Sequence, residues 1–568
     1  MMFAWAALVL ALPLARAANT PLASGTSISG LWPKHGASAA GATALEVVEG
    51  FSFVAASPSP RLRRALDRYA GYVANQKTLW THQTPGETLP LEKIVVRAPD
   101  DGAPPAYGDD ETFELVIAPG AGSLRAASFA GALRGLEAFA QCTVRLGAKV
   151  VVNSTRTNVT GAAAKFAYRG VMVDSSRHFL PVPTLEAILD GMAASALNVL
   201  HWHLVDAQSF PWNASFEPAL VRGAYRPDLA YQRADLERVV AYAGDRAIRV
   251  IPEIDVPGHS AAVAVGRPDL VVACGAADAG AAFDGSRASG ALLDPLKEET
   301  YAFLGALFAE LRGVFRDAAV HLGGDEVQFR CLNASADFRG RMVARGYDAS
   351  CPAADPPKTG GNVCANGGPG FKKVVGDFVV RAQRLARAAG FEKLGGWQEI
   401  FDHYGGDDAT TPTPPVAGLD PGTAIYAWLA PSWGWGNPAS MAARGFDVVS
   451  TLGLYLGSDA DHGDWRAFYD VHPRSSATRN ASSRGYFNVT DPAEASRVLG
   501  AEACLWGERA DGGDANLALW PRAAAAAEAL YVGPDLGDDD AVLARLLRHR
   551  CRLVQRGIPA APLQPGFC

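Results

Sequence analysis

The sequence predicts an α/β fold: a (β/α)8 barrel of the TIM type over residues 166–568, preceded by a smaller α+β domain over residues 18–165. Three observations carry this reading. From about residue 166, short apolar β-rich runs alternate with longer helical runs, and eight such runs can be counted. Each is mostly hydrophobic, as parallel strands covered on both faces are, and each is followed by a polar or aromatic residue. No glycine-rich phosphate loop follows the first run, which sets the barrel ahead of its alternative, a doubly wound open sheet. A chain of 568 residues is long enough for both units.

Residues 3–14 form an apolar run, and Ala15, Arg16 and Ala17 give an A-x-A cleavage pattern, so residues 1–17 read as a secretory signal peptide. The n-region lacks Lys and Arg; an uncleaved anchor is the alternative, but the run is short for spanning a bilayer. No later stretch reaches spanning length without charges, so no stable membrane span is expected. The expected location is the secretory pathway: lysosome, vacuole or the extracellular space. With 49% hydrophobic and 20% charged residues the composition is globular, and a net charge of −7 leaves no basic field to hold nucleic acid.

Secretion makes the eight cysteines disulfide candidates before metal ligands. Cys351 with Cys364 and Cys551 with Cys568 bracket local loops, Cys274 and Cys331 can tie two loops together, and Cys142 and Cys504 sit in apolar surroundings as free, buried thiols. Spacing alone does not prove the pairing. Six N-x-S/T triplets, at Asn153, Asn158, Asn213, Asn333, Asn480 and Asn488, fit a glycoprotein.

In the N-terminal unit, Phe113, Leu115 and Ile117 alternate with polar residues and predict a strand over 112–117, with another over 94–97. Leu124, Leu133, Leu136 and Phe139 are spaced for a helix over 123–141 with Ser123 as its cap, and 150–152 reads as a last strand. The barrel strands are expected at 170–174, 199–204, 249–253, 319–322, 395–397, 424–428, 447–451 and 502–506, with helices over 184–196 and 233–245.

At the ends of those strands gather Asp174 and Arg177; His201, His203 and Asp206; Glu253, Asp255 and His259; Asp325 and Glu326; Trp397 and Glu399; Trp428; Tyr455; Trp506 and Glu508. C-terminal strand ends are where such barrels keep their chemistry. Tryptophan faces stack on sugar rings, while Arg, Asp and Glu bond hydroxyls, so the set describes a pyranose pocket. Glu326 is the candidate acid, tuned through His259 and Asp206. Gly323 and Gly324 allow a sharp turn before it. Two-carboxylate retaining enzymes put acid and nucleophile on different strands, about 5 Å apart. Asp325 is instead the immediate neighbour of Glu326, an adjacency that fits a substrate carrying its own nucleophile.

Several segments carry a family resemblance. They are Arg–Gly–Val–Met–Val–Asp–Ser–Ser–Arg–His at 169–178, His–Trp–His–Leu–Val–Asp at 201–206 and Pro–Gly–His at 257–259. To these are added His–Leu–Gly–Gly–Asp–Glu–Val at 321–327, Trp–Gln–Glu at 397–399, Glu–Ala–Cys–Leu–Trp–Gly–Glu at 502–508 and Leu–Trp–Pro–Arg at 519–522. In this order they resemble the β-N-acetylhexosaminidases of glycoside hydrolase family 20, close to the eukaryotic lysosomal and secreted members. Gly–Ala–Leu–Arg–Gly–Leu–Glu at 131–137 resembles that family's N-terminal domain. The resemblance implies substrate-assisted retention, in which the 2-acetamido oxygen attacks C1 to form an oxazolinium ion. It implies Glu326 as general acid/base and Asp325 as the group that holds the acetamido N–H and stabilises the cation. Tyr455 would bond the acetamido carbonyl, and Asp206 with His259 would support Glu326. Arg177 and Glu508 would grip the non-reducing-end hydroxyls, giving an exo mode, between walls of Trp397, Trp428 and Trp506. No metal or organic cofactor is implied; the partner is a glycan substrate (glycoprotein, chitin oligomer or glycolipid), and a homodimer is the assembly the family suggests.

The chain departs from the family after Tyr455, where Leu456, Gly457 and Ser458 replace a stretch in which relatives carry Asn or Asp. Preference between neutral and charged substrates therefore stays open, with Asp459 and Asp461 nearby. The loops at 352–368, 404–422 and 472–486 read as variable rims. Two rivals remain. One is a zinc hydrolase using His201, His203, His259, His321 and Asp206, which activity surviving strong chelation would dismiss. The other is a catalytically silent glycan-binding protein on the same scaffold, against which the intact Asp325–Glu326 pair argues.

Overall fold

The computed structural model describes residues 28, 30–56, 58–77, 85–100, 102–273, 291–350, 368–404, 417–429, 436–457, 465–471, 473, 489–535, 537–566 and 568. The signal expected over residues 1–17, Cys274, Cys351, Cys364, Asp459, Asp461, Asn480 and Asn488 lie outside them, as does most of each predicted rim loop.

Eight parallel strands close into a barrel: Tyr168–Asp174, Val199–Val205, Arg249–Ile254, Ala319–His321, Lys393–Trp397, Ala424–Ala427, Asp447–Ser450 and Val498–Leu505. Each of the eight predicted runs falls on one of them. Closure comes from the last strand pairing with the first, from Gly500↔Tyr168 to Leu505↔Val173. Every residue of the first three strands is buried, because helices cover the outside and side chains fill the inside. Helices Val182–Ala194, Arg233–Gly244, Glu298–Arg312 and Pro369–Ala388 follow the first four strands in turn and bury their apolar faces on the barrel.

Before the barrel, strands between Gly36 and Gly161 form an eight-stranded mixed sheet carrying helices Pro60–Ala74 and Phe129–Cys142. Two expectations need correction here. Ser123 does not cap a helix; it lies in strand Gly120–Ala126, paired with Val95. The helix begins at Phe129, and its cap is Ser128, whose hydroxyl accepts from the Gly131 N–H at 3.1 Å. Leu124, which looked like the first apolar position of the helix, is an inward residue of the strand. Lys149–Val152 is likewise not the last strand, since Arg156–Gly161 follows and pairs with both Gly36–Ala40 and Phe113–Ile117.

All fourteen residues of Phe129–Cys142 are buried. Its Arg134 shares Glu111 with Arg169 of the first barrel strand, at 2.8 and 2.5 Å, with all three side chains at most 5% exposed. Burial opposes ionisation of Glu111, yet the two guanidinium groups pull its carboxyl down to about 2. Trp32 makes a second link: its backbone N–H donates to Gln141, and its indole N–H donates to Ala524 O.

The Cys551–Cys568 disulfide is present, Cys331 is disulfide-bonded, and Cys142 and Cys504 are free and buried. Asn153 and Asn213 are exposed, whereas Asn158 and Asn333 are half-buried. Among the described residues no helix is long and apolar enough to cross a membrane.

Candidate active site

The turn after the fourth barrel strand sets the geometry. Gly323 and Gly324 have φ of 64° and 98°. At Gly323 a Cβ would stand 1.9 Å from Asp255 Oδ1, so only glycine lets the turn close over that carboxyl. The Gly324 N–H then donates to the same oxygen at 3.0 Å. Two residues on, Glu326 takes a φ of 45°, and His259 across the barrel mouth takes 48°. Non-glycine residues held in this left-handed region cost about 1–3 kcal/mol each and persist where surrounding structure enforces them, which is typical of functional sites.

His259 is the hub. Its Nδ1 lies 3.1 Å from Asp206 Oδ1, while its Nε2 lies 3.8 Å from Asp325 Oδ2 and 3.6 Å from Glu326 Oε2. Arg177 reaches Asp206 at 2.8 Å and Asp174 at 3.1 Å. Burial disfavours the ionised form of Asp206, but Arg177 and His259 outweigh it and hold the carboxyl far below its usual range. Burial likewise works against a charged His259, and Asp206, Asp255 and Asp325 reverse this, keeping the ring an imidazolium well above its usual pKa. Glu326 moves the other way. Loss of hydration and the charge of Asp325 raise its pKa, with His259 and Arg177 only partly offsetting them. A carboxyl raised in this way keeps its proton to higher pH, as a general acid must. Asp255 is raised well above the carboxylate range, first by burial and then by the charge of Asp325.

These groups open into a cavity of about 420 Å³ lined by Arg177, His259, Asp325, Glu326, Trp397, Trp428, Tyr455, Gly457, Trp506, Glu508 and Arg509. Every residue predicted for catalysis or substrate contact lines it except Asp206, which stands behind His259. The Trp397 and Trp506 rings lie 5.6 Å apart, the Tyr455 ring stacks at 6.5 Å from Trp506, and Arg177 lies over Trp506 at 5.1 Å. Trp428 donates its indole N–H to Glu399 at 3.0 Å, and burial with the charge of Asp325 raises the Glu399 pKa well above normal. Among the described residues, two buried atoms at the cavity floor have no hydrogen-bond partner: Asp325 Oδ1 and His259 Nε2. The Asp325 side chain is 10% exposed, whereas that of Glu326 is 57% exposed and reaches into the cavity mouth.

Below the cavity lies a polar barrel interior. Glu253 meets His201, His203 and His321 at 3.0, 2.6 and 3.1 Å and accepts from the Trp397 indole at 2.7 Å. Burial opposes its charge, but the three histidines hold it well below the carboxylate range. His201 also meets Glu502 at 2.9 Å. Among the described residues, three sets bring nitrogen and carboxylate oxygen atoms within 4.8 Å: His201, Glu253 and His321; Asp206, Asp255 and His259; His259, Asp325 and Glu326. In the first two, the carboxylates already satisfy histidine or arginine charges, so the arrangement balances as a proton-bearing network.

Sequence reasoning placed Asp255 and Glu253 at a strand end without a role. It singled out Gly457 only as part of the departure after Tyr455, and gave no signal for Arg509, which stands out neither by type nor by spacing.

The chain matches the catalytic domain of glycosyl hydrolase family 20 over residues 166–534. It is 31% identical over 574 residues to β-hexosaminidase subunit beta of Homo sapiens, covering 98% of this chain and 93% of that one. It is 32% identical over 479 residues to β-hexosaminidase 3 of Arabidopsis thaliana, covering 81% and 78%. Its fold is similar to that of a chitobiase from Flavobacterium johnsoniae, with a TM-score of 0.72 at 23% identity over 93% of this chain and 73% of the other. With the family's domain spanning the barrel and its glycosidase relatives aligned along nearly the whole length, the chain belongs to glycosyl hydrolase family 20.

Proposed function

We propose that this glycosidase removes terminal, non-reducing β-linked N-acetylhexosamine from glycans by substrate-assisted retention. The observation that carries the reading is Asp325 Oδ1, buried at the cavity floor with no partner, beside a Glu326 whose pKa is raised. An unpaired buried acceptor is costly unless a ligand donor meets it. The acetamido N–H of an N-acetylhexosamine is such a donor.

In the first step Glu326 protonates the glycosidic oxygen while the acetamido oxygen attacks C1, so the C1–O bond breaks and an oxazolinium ion forms. Asp325 holds the N–H and faces the developing positive charge. Tyr455, at the cavity wall, donates to the acetamido oxygen and orients it. In the second step Glu326, now a carboxylate, takes a proton from water, which attacks C1 and reopens the ring with the β configuration retained. His259, kept cationic by Asp206 and its neighbours, holds Glu326 in place and lets it change charge twice. Arg177 and Glu508 bond the hydroxyls of the non-reducing end, and the three tryptophans wall the sugar faces.

The same reading takes residues 18–165 as the N-terminal domain and 166–568 as the catalytic domain of a secretory-pathway glycoprotein, assembled as a homodimer. The deciding experiment compares aryl β-glycosides of N-acetylglucosamine and of glucose, with the first-formed anomer followed by proton NMR. Cleavage that requires the acetamido group and yields the β anomer is expected. Equal rates on both glycosides would sink the assisted route.

A further inference from the structure

Far from the barrel mouth, a second cavity of about 350 Å³ opens between helix Pro60–Ala74, helix Phe129–Cys142 and the C-terminal helix Asp539–Gln555. Its polar walls are Arg68, Asn75, Gln76, Arg552, Gln555 and Arg556, and Asp67 is the one acid among its lining residues. Among the described residues, one of the three guanidinium groups meets a carboxylate: Arg556 binds Glu137 in a fork at 2.8 and 3.0 Å. Arg552 donates to neutral oxygens, Gly30 O at 2.8 Å and Gln141 Oε1 at 3.2 Å. Arg68 donates through Nη2 to the Asp245 carbonyl at 3.0 Å. The seam therefore carries more positive than negative charge, and part of it is removed from water. Burial brings Arg552 down to about 10, with Glu137 opposing the fall and Arg556 and Arg548 adding to it.

We propose that this seam is a binding site for a tetrahedral oxyanion, a phosphate or sulfate group, taken either as the free ion or as a monoester on a sugar. Guanidinium forks match such oxygens in spacing and charge, and the Asn75 and Gln555 amides add neutral donors. The volume exceeds what a lone ion fills, which leaves room for an attached pyranose. Because the cavity joins elements of the N-terminal sheet unit to the last helix, occupancy would also tighten that junction. The site shares no residue with the glycosidase cavity and stands or falls independently of the proposed function.

The test uses the full-length protein at pH 7. Melting temperature is followed against sodium phosphate, sodium sulfate and glucose 6-phosphate, each compared with sodium chloride at equal ionic strength. A saturable rise beyond the chloride control is expected, with affinity reduced at least tenfold in Arg552→Gln and in Arg68→Gln, and with aryl glycoside hydrolysis unchanged in both. Arg68→Gln guards against a folding defect in the other variant, since Arg68 gives up one carbonyl hydrogen bond and a cation–π contact with Tyr69. Tighter binding of glucose 6-phosphate than of phosphate assigns the site to a sugar-borne group; equal binding assigns it to the free ion. No saturable shift with any of the three, or the same shift in both variants, overturns the proposal.

Discussion

Replacing Asp325 by Asn tests the centre of the mechanism, because it removes a charge while leaving size and an acceptor oxygen. The amide oxygen still receives the acetamido N–H, so ground-state binding should change little. What is lost is a negative charge facing the cationic ring. A unit pair about 4 Å apart at an effective dielectric of about 20 is worth roughly 4 kcal/mol, close to the roughly 3–4 kcal/mol found on deleting one oxyanion-hole donor. At about 1.4 kcal/mol per decade, kcat should fall by about 10²–10³. A second effect has a fixed sign. Asp325 is, after burial, the main cause of the raised Glu326 pKa. Its removal lowers that pKa, so the acid loses its proton earlier and the alkaline limb of kcat/KM moves to lower pH. The assay is a pH profile from about 4 to 8 with an aryl N-acetyl-β-glucosaminide, alongside a melting curve to confirm folding. A fall in kcat of less than tenfold, or an alkaline limb that stays or moves upward, refutes the reasoning.

Glu326→Gln should abolish turnover, by about 10²–10⁴ or more, while an oxazoline-like analogue still binds in calorimetry; full activity would remove Glu326 from its role. Glu111→Gln strands two buried arginines between the N-terminal sheet unit and the barrel, and urea denaturation at pH 7 should register a loss of about 3–5 kcal/mol. His35 sits edge-on between the Phe113 and Tyr531 rings, and burial, then Arg134, lowers its pKa from 6.5 to about 4. The unfolded chain therefore takes up a proton that the folded one excludes. This contribution makes stability fall as pH drops from about 6.5 to 4, by at most about 3 kcal/mol. His35→Phe should flatten that slope between pH 7 and 4.5 relative to the parent; parallel slopes would disprove the assignment.

The barrel was legible because parallel strands leave little choice of residue: 199–204 and 249–253 must be apolar outward and carry their polar groups toward the mouth. The adjacency of Asp325 and Glu326 was legible for the same reason, as a departure at a strand end. Ser123 misled because Leu124 was counted with Leu133, Leu136 and Phe139 although a strand end and a turn intervene. Nine residues at about 100° each put Leu124 on the helix face opposite Leu133, so the break was visible in the phase. The raised pKa of Asp255 could not be read from the sequence at all. It arises from the packing of Gly323 and the charge of Asp325, about seventy residues away in sequence. Arg509 is in the same position: its place in the cavity depends on how the last strand exits, and an Arg beside Glu508 looks like any surface pair.

Trp397 has a consequence for selectivity. Its indole is 1% exposed, donates to Glu253, and packs against His201, His321, Tyr426 and Trp506. Immobilising a mobile side chain on binding usually costs about 0.5–1.5 kcal/mol. This wall is already immobile, so that entropic cost falls away for any sugar that packs against the small part of it open to the cavity. The same stiffness removes a remedy: an epimer whose axial hydroxyl lifts the ring cannot be met by a shift of the indole, and the mismatch must be absorbed by the sugar itself.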